Sequence, residues 1–319
     1  MQVFRIETMN LFGMSSDRRA VTAFLLCAGT LSASAQMPTK DAPVPMNSRD
    51  SEKMPSGLAA IESGLRHESE LHPDSASTLY KLGLVLRQEN KPKESLEIYT
   101  QAAHLEKPNA EQLRSVALDY VLLDDYNDAI HWLQIAASFD PQNADVLYSL
   151  GRCLYSQSRY PEAEQMFLRV LQIKPDHSKA EENLGLIYDF ANQPEKAEEA
   201  LRKAATWAGN ETSDEWPFLD LGSFLLDHDR AAEAVPFLRR ASVIAVQCAA
   251  CREKLGRALV ATGDAGGGVN ELEIAAQLDP KNPKTHYQLG LAYRAAGALN
   301  KSRAEFALSQ SLYGEHSQE

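Results

Sequence analysis

The chain has 319 residues, 44% of them hydrophobic, with 44 acidic against 32 basic side chains and a formal net charge of −12. Such acidity excludes non-specific nucleic-acid binding, because a phosphate backbone would be repelled, and the hydrophobic share excludes a chain disordered throughout. The eight histidines are scattered without metal-ligand spacing, and no Ser-His-Asp or paired-carboxylate arrangement is present, so neither a cofactor nor an enzyme is implied.

At the start, Asp17-Arg18-Arg19 precedes an apolar run at 20–31, and the small residues Ser32-Ala33-Ser34-Ala35 follow it. These read as the three regions of a secretory signal over 1–35, cleaved after Ala35. The run is shorter than the ~20 residues that cross a bilayer, so membrane association is expected only through an uncleaved anchor. Lipid attachment at Cys27 is disfavoured by the bulk of Leu26 before it. Residues ahead of Met14 add nothing to a signal, which makes Met14 a candidate start. The protein is expected to be exported, to the periplasm of a bacterial envelope or beyond it. Residues 36–55 carry Pro38, Pro43, Pro45 and Pro55 without apolar periodicity and read as a disordered linker. Leu58, Ile61 and Leu65 then share one helical side until Pro73, so 56–75 reads as an N-terminal capping half-repeat.

From residue 76 the chain repeats. Leu82-Gly83, Val116-Ala117, Leu150-Gly151 and Leu184-Gly185 stand 34 residues apart; Leu221-Gly222 comes 37 later, then Leu255-Gly256 and Leu289-Gly290 at 34 again. Ser95, Ala129, Ala163, Ala197, Ala234, Gly268 and Ser302 keep the same period with the same slip. Tyr99, Leu133, Phe167, Leu201, Leu238, Leu272 and Phe306 follow four residues on, one helical turn away. Within 144–177, Leu147, Gly151 and Leu154 line one helical face, and Ala163, Phe167 and Val170 line a second. Between the two lies polar 156–159, with Pro161 in the first turn of the second helix and Pro175 after its end. The spacing predicts a two-helix hairpin in each unit, too small to bury its apolar faces without neighbours.

This pattern resembles the tetratricopeptide repeat family, whose 34-residue helix-turn-helix unit carries L-G, Y/L, A, F, A and P landmarks. The resemblance covers seven units, 76–109, 110–143, 144–177, 178–211, 215–248, 249–282 and 283–316, with closing prolines at Pro141, Pro175 and Pro280 and a late one at Pro108. It implies an all-α fold, an α-solenoid superhelix of stacked hairpins, working as a non-catalytic protein–protein interaction scaffold. The join at 205–216 lacks a proline and carries three extra residues, so a kink or bulged loop is expected there. It would divide the array into 76–211 and 212–316, ahead of a tail at 317–319. The unit 249–282 is expected to be the weakest, because Gly266-Gly267-Gly268 opens its second helix. No solvating helix follows the last repeat, so Phe306 and Leu308 are expected to leave an apolar edge open to a partner or a second copy.

In this family the concave wall is lined by first-helix residues pointing away from the Leu-Gly face. The corresponding positions here include Tyr80, Leu84 and Arg87; Arg114, Leu118 and Val121; Tyr148, Arg152 and Tyr155; Arg257; and Tyr287, Leu291 and Arg294. Five arginines and several tyrosines in an acidic protein predict a locally basic, aromatic groove for a protein or an extended, partly acidic peptide. The competing reading is an ordinary solvated helix face. A lysine-asparagine clamp for chaperone tails is not evident, since the first unit offers Tyr80 and Leu84 at those places.

Cys248 and Cys251 form a C-x-x-C pair. Haem attachment would need histidine where Arg252 stands, and zinc would need two further ligands. In an oxidising compartment a local disulfide is expected, with Cys153 left as a small buried residue. Two other functions stay open: a thiol-disulfide redox protein using Cys248 and Cys251, and a structural envelope protein that self-associates through its C-terminal helix. The glycine-rich run at 263–268 lacks the lysine and hydroxyl of a phosphate loop and reads as a flexible turn.

Overall fold

The structure, a computed structural model, describes residues 57–209 and 212–316; the expected signal, linker and tail lie outside these residues. The described residues form fifteen α-helices and no strand. They belong to two compact units, Met1–Ile173 and Lys174–Glu319, each of them a run of antiparallel hairpins.

The first unit contains α1 (Leu58–Leu71), then α2 (Ala76–Gln88), α3 (Pro92–Leu105), α4 (Ala110–Leu122), α5 (Tyr126–Phe139), α6 (Ala144–Ser156) and α7 (Tyr160–Ile173). Each first helix begins at a side-chain cap. Ser75 Oγ accepts the Thr78 amide, and Asn143 Oδ1 accepts those of Asp145 and Val146. Asn109 and Gln112 cap reciprocally, at 2.9 and 2.7 Å, satisfying two donors that the first turn leaves without helical partners. Asn109→Ala is expected to cost about 1 kcal/mol, read as a lower midpoint in chemical denaturation; an unchanged midpoint would refute this role.

Helix α1 lies along α2, with Leu58 buried. Its polar side chains hold the first hairpin: Glu68 accepts from Thr78 Oγ1, Glu62 pairs with Lys91 at 2.8 Å, and Arg66 reaches Glu94 at 2.8 Å. Donors from Lys91, chiefly, keep the Glu62 carboxyl at about 2, well below its ordinary value. Ile61, expected on the buried side, is instead 52% exposed, whereas Leu58 is buried and Leu65 half-buried.

The second unit contains α8 (Ser178–Phe190), α9 (Pro194–Ala208), α10 (Trp216–Asp227), α11 (Ala231–Ile244), α12 (Ala249–Ala261), α13 (Ala265–Leu278), α14 (Pro283–Ala295) and α15 (Leu299–His316). Ala197, Leu201 and Ala205 of α9 share a core with Phe218, Leu219 and Leu221 of α10. Apolar packing thus continues through the stretch that holds the three extra residues. At that join Gly209 adopts φ 71° and its carbonyl accepts from Arg240, whose guanidinium lies 4.0 Å from the centre of the Phe218 ring.

The two sequence series meet inside the hairpins. A Cβ placed on Gly151 would lie 2.8 Å from the Phe167 ring, and one on Gly185 would lie 2.6 Å from Leu201. The small residue in the Leu-Gly pair is therefore the seat for the large residue of the following helix. Where serine replaces alanine at the small position of the second helix, its hydroxyl donates to the glycine carbonyl opposite: Ser95 to Gly83 and Ser302 to Gly290, both at 2.8 Å.

The glycine run does not form a flexible turn beyond its first residue. Gly263, at φ 92°, ends the preceding helix, while Gly266, Gly267 and Gly268 belong to the first turn of α13, with Asp264 accepting the Gly267 amide at 2.8 Å. Close approach explains Gly268: a Cβ there would fall 2.4 Å from Val260 Cγ2 and 2.9 Å from the Gly256 carbonyl oxygen.

The turn inside every hairpin is built one way. Asn90, Asp124, Ser158, Asn192, Asp229, Gly263 and Gly297 all have positive φ. In each case the next residue's amide bonds back to a carbonyl five positions earlier, as Lys91 does to Leu86 and Arg159 to Leu154, both at 2.9 Å. This is the Schellman ending, which gives the last carbonyls of the first helix their donors. Among the described residues no helix is long and apolar enough to cross a membrane.

Candidate docking surface

In the first unit the candidate wall comes from α2, α4 and α6. Tyr80 is buried, and its hydroxyl donates to the Glu106 carbonyl at 2.7 Å. Burial, with the nearby Glu106 adding to it, raises the Tyr80 phenol to about 12. Its ring sits 6.0 Å from Tyr99 at 41°. Tyr148, half-buried, repeats this arrangement on Phe167 at 5.9 Å and 52°. Arg152 is also buried, with its guanidinium 5.9 Å from the Tyr148 ring centre. Tyr155 is half-buried, edge-on to Tyr160 at 5.4 Å. Arg114 is half-buried and turned along its own helix, with Nε donating to Glu111 at 2.7 Å. Leu118 and Arg87 are half-buried.

In the second unit Tyr287 is the more open residue, 48% exposed, with its ring 5.5 Å from Phe306 at 48°. Arg294, exposed on the same helix, lies 6.0 Å from the Phe306 ring. Arg257 is half-buried and faces Asp227 at 3.7 Å.

A rule joins these contacts. The first-helix tyrosines 80, 148 and 287 each lean, tilted, on the large aromatic that fills the glycine seat of the same hairpin: Tyr99, Phe167 and Phe306. Tilted aromatic pairs at such distances are favourable beyond the area they bury. The core aromatic therefore fixes the tyrosine orientation. Within each pair the two rings stand 19 residues apart in the chain, a spacing that the sequence itself displays.

The sequence did not flag a buried acid. Asp119 is fully buried in α4, and its Oδ2 stands 2.6 Å from Ser95 Oγ. Burial, only partly offset by Ser95 and Arg87, raises its carboxyl to about 8. The Ser95 hydroxyl has one proton and also faces the Gly83 carbonyl. A protonated Asp119 that donates to Ser95, which in turn donates to Gly83, satisfies that chain.

Cys248 and Cys251 are joined by a disulfide of 2.09 Å at the start of α12. Cys153 is a free, fully buried thiol, pushed up to about 12 by burial. Among the described residues no group of three or more His, Cys, Asp or Glu side chains converges to hold a metal ion. On α15, Phe306 is half-buried beneath Tyr287, whereas Leu308 and Tyr313 are 42% and 50% exposed.

Family models described as tetratricopeptide repeat match residues 142–206 and 253–314. A model described as anaphase-promoting complex, cyclosome, subunit 3 matches 95–170. Among curated proteins, the type IV pilus assembly protein PilF of Pseudomonas aeruginosa is 36% identical over 88 residues, 27% of this chain and 35% of that protein. A TPR repeat-containing protein of Dictyostelium discoideum is 28% identical over 166 residues, 50% of this chain and 60% of that one. The chain thus spans about a third of the first relative's length and about three fifths of the second's. Among solved structures, that of Pseudomonas aeruginosa pilF aligns with a TM-score of 0.59 at 22% identity, over 70% of this chain and 96% of that one. PilW, described as a widely conserved type IV pilus biogenesis factor, aligns at 0.56 and 17%, over 64% and 94%. At these identities the structural matches show the fold.

Proposed function

Because the chain is a tetratricopeptide repeat protein, a family of protein-interaction scaffolds, we propose that it binds a segment of a partner protein on the first-helix face of one unit, the second, where Tyr287 and Arg294 stand. The observation that carries this reading is the tyrosine placement. Tyr287, like Tyr148 in the first unit, is held by a core aromatic before any ligand arrives, so little rotamer freedom is lost on binding. Tyr287 and Arg294 share the Phe306 platform and are exposed. They supply an apolar plane beside a planar cation, suited to an aromatic or aliphatic side chain followed by a carboxylate. Buried Tyr80 and Arg152 act mainly by shaping the corresponding face of the first unit.

The partner belongs to the exported proteins. Support comes from the signal pattern at 1–35 and from a pilus assembly protein among the relatives.

The test is affinity capture from an envelope extract with the full chain, beside a chain carrying Tyr287→Ala and Arg294→Ala. Loss of these two exposed contacts is expected to weaken the captured partner by about 30-fold or more, since two interface anchors at about 1 kcal/mol or more each remove about 2 kcal/mol. Capture that is equal with both chains would remove the wall from consideration.

A further inference from the structure

Six first helices begin at one register position, and in the units opening at 76, 110, 144, 178 and 283 the residue there is Ser75, Asn109, Asn143, His177 or Asn282. Each of these side chains accepts an amide two or three residues ahead. In the unit opening at 249 the acceptor is sulfur: Cys248 Sγ takes the Cys251 amide at 3.0 Å, and the same sulfur is bonded to Cys251. The two sulfurs differ in access. Cys248 is half-buried, whereas Cys251 is fully buried against the core that includes Leu255.

We propose that Cys248 and Cys251 form a thiol–disulfide exchange site, with Cys248 the sulfur that meets an external thiol and Cys251 its buried resolving partner. Two observations separate this from an inert bridge. First, only Cys248 can be reached, so attack has one direction. Second, the atom freed by reduction keeps a built acceptor place: a Cys248 thiolate would still receive the Cys251 amide, at the positive end of a 13-residue helix. The neighbouring caps show that this place suits a polar acceptor, and a thiolate accepts more strongly than a disulfide sulfur.

With a dithiol as reductant, its first thiolate attacks Cys248 Sγ. The Cys248–Cys251 bond breaks, and its electron pair leaves on Cys251 Sγ, which takes a proton from solvent. The reductant's second thiolate then attacks its own sulfur in the mixed disulfide, and the pair leaves on Cys248 Sγ. The dithiol ends as a disulfide, and its two electrons reside on the Cys248–Cys251 pair. In reverse, the Cys248 thiolate attacks a partner disulfide and Cys251 displaces it. Cys153 has no such environment, since it is fully buried and its thiol is held protonated.

The test needs no variant for its first part. The full chain, kept native, is treated with dithiothreitol and then with limiting iodoacetamide, and the tryptic peptide 241–252, which holds both cysteines, is sequenced by mass spectrometry. Reduction without loss of helical circular dichroism, followed by alkylation at Cys248 about tenfold faster than at Cys251, is the expected result. Reduction that occurs only in denaturant, or equal alkylation of the two sulfurs, would overturn the proposal. In the second part oxidised glutathione is the probe. Cys251→Ala should form an adduct at Cys248, while Cys248→Asn, which installs the cap found at Asn143, should stay unmodified at Cys251. An adduct at Cys251 would overturn the assignment of roles.

Discussion

Phe167→Ala is expected to lower stability by about 3–5 kcal/mol. The ring is fully buried, fills the place left open by Gly151, and supports Tyr148 from below. Truncation leaves a void that neighbours cannot close without moving α6 against α7, so lost transfer energy and an unfilled cavity add together. Because each hairpin is stabilised through its neighbours, the loss should lower the urea midpoint of the hairpins that pack on it. Leu308→Ala, on an exposed position of α15, should change stability by less than about 0.5 kcal/mol. Chemical denaturation followed by circular dichroism compares the two; a Phe167→Ala midpoint indistinguishable from that of Leu308→Ala would refute the seat-and-knob account.

Asp119 should make the protein less stable as pH rises from about 4 to about 8. An unfolded aspartate releases its proton near 3.9, whereas burial holds the folded Asp119 carboxyl protonated up to about 8. Between those values the folded chain retains a proton that the unfolded chain has released. The contribution is therefore fully present below about 4 and lost by the time pH passes 8, at up to about 1.4 kcal/mol per pH step of one. Asp119→Asn removes this dependence while keeping a donor for Ser95. The variant should match the parent near pH 4 and below, and exceed it clearly near pH 9. The depressed Glu62 does not obscure the comparison, since its stabilisation is lost as pH falls from its ordinary value towards about 2. Parallel stability curves for parent and variant across pH 5 to 9 would show that Asp119 is not held protonated.

The repeat was legible because its signals are local and redundant. Gly151 with Phe167 and Gly185 with Leu201 announce a seat and its knob sixteen residues apart, and the same pairing returns unit after unit. The wall positions were legible as a register, yet their availability was not. Tyr80 and Arg152 occupy equivalent wall positions to exposed residues but are buried, since burial depends on the rows above and below, which no single helix pattern reports. Asp119 was missed for a related reason. Its neighbour Ser95 lies 24 residues away, and an acid one place beyond Leu118 looks like ordinary helix surface. The Cys248 cap could have been read from sequence, by placing it in register with Asn109, Asn143 and Asn282. So could the turn residues, whose positions at 90, 124, 158, 192, 229, 263 and 297 repeat the 34-residue period and its one slip.

Those turns also bear on how such a protein can change over generations. Five of the seven hold a side chain where the backbone is left-handed, Asn90, Asp124, Ser158, Asn192 and Asp229, while Gly263 and Gly297 do not. A left-handed residue with a Cβ costs roughly 1–2 kcal/mol, less for asparagine and aspartate. The strain is confined to one hairpin by a bond back to that hairpin's own first helix, so each turn can be relieved to glycine without altering any other. The chain therefore carries a latent margin of robustness in separate parcels. Drawing on one of them could offset a destabilising exchange on the proposed docking wall, leaving its surface free to drift while the array stays folded.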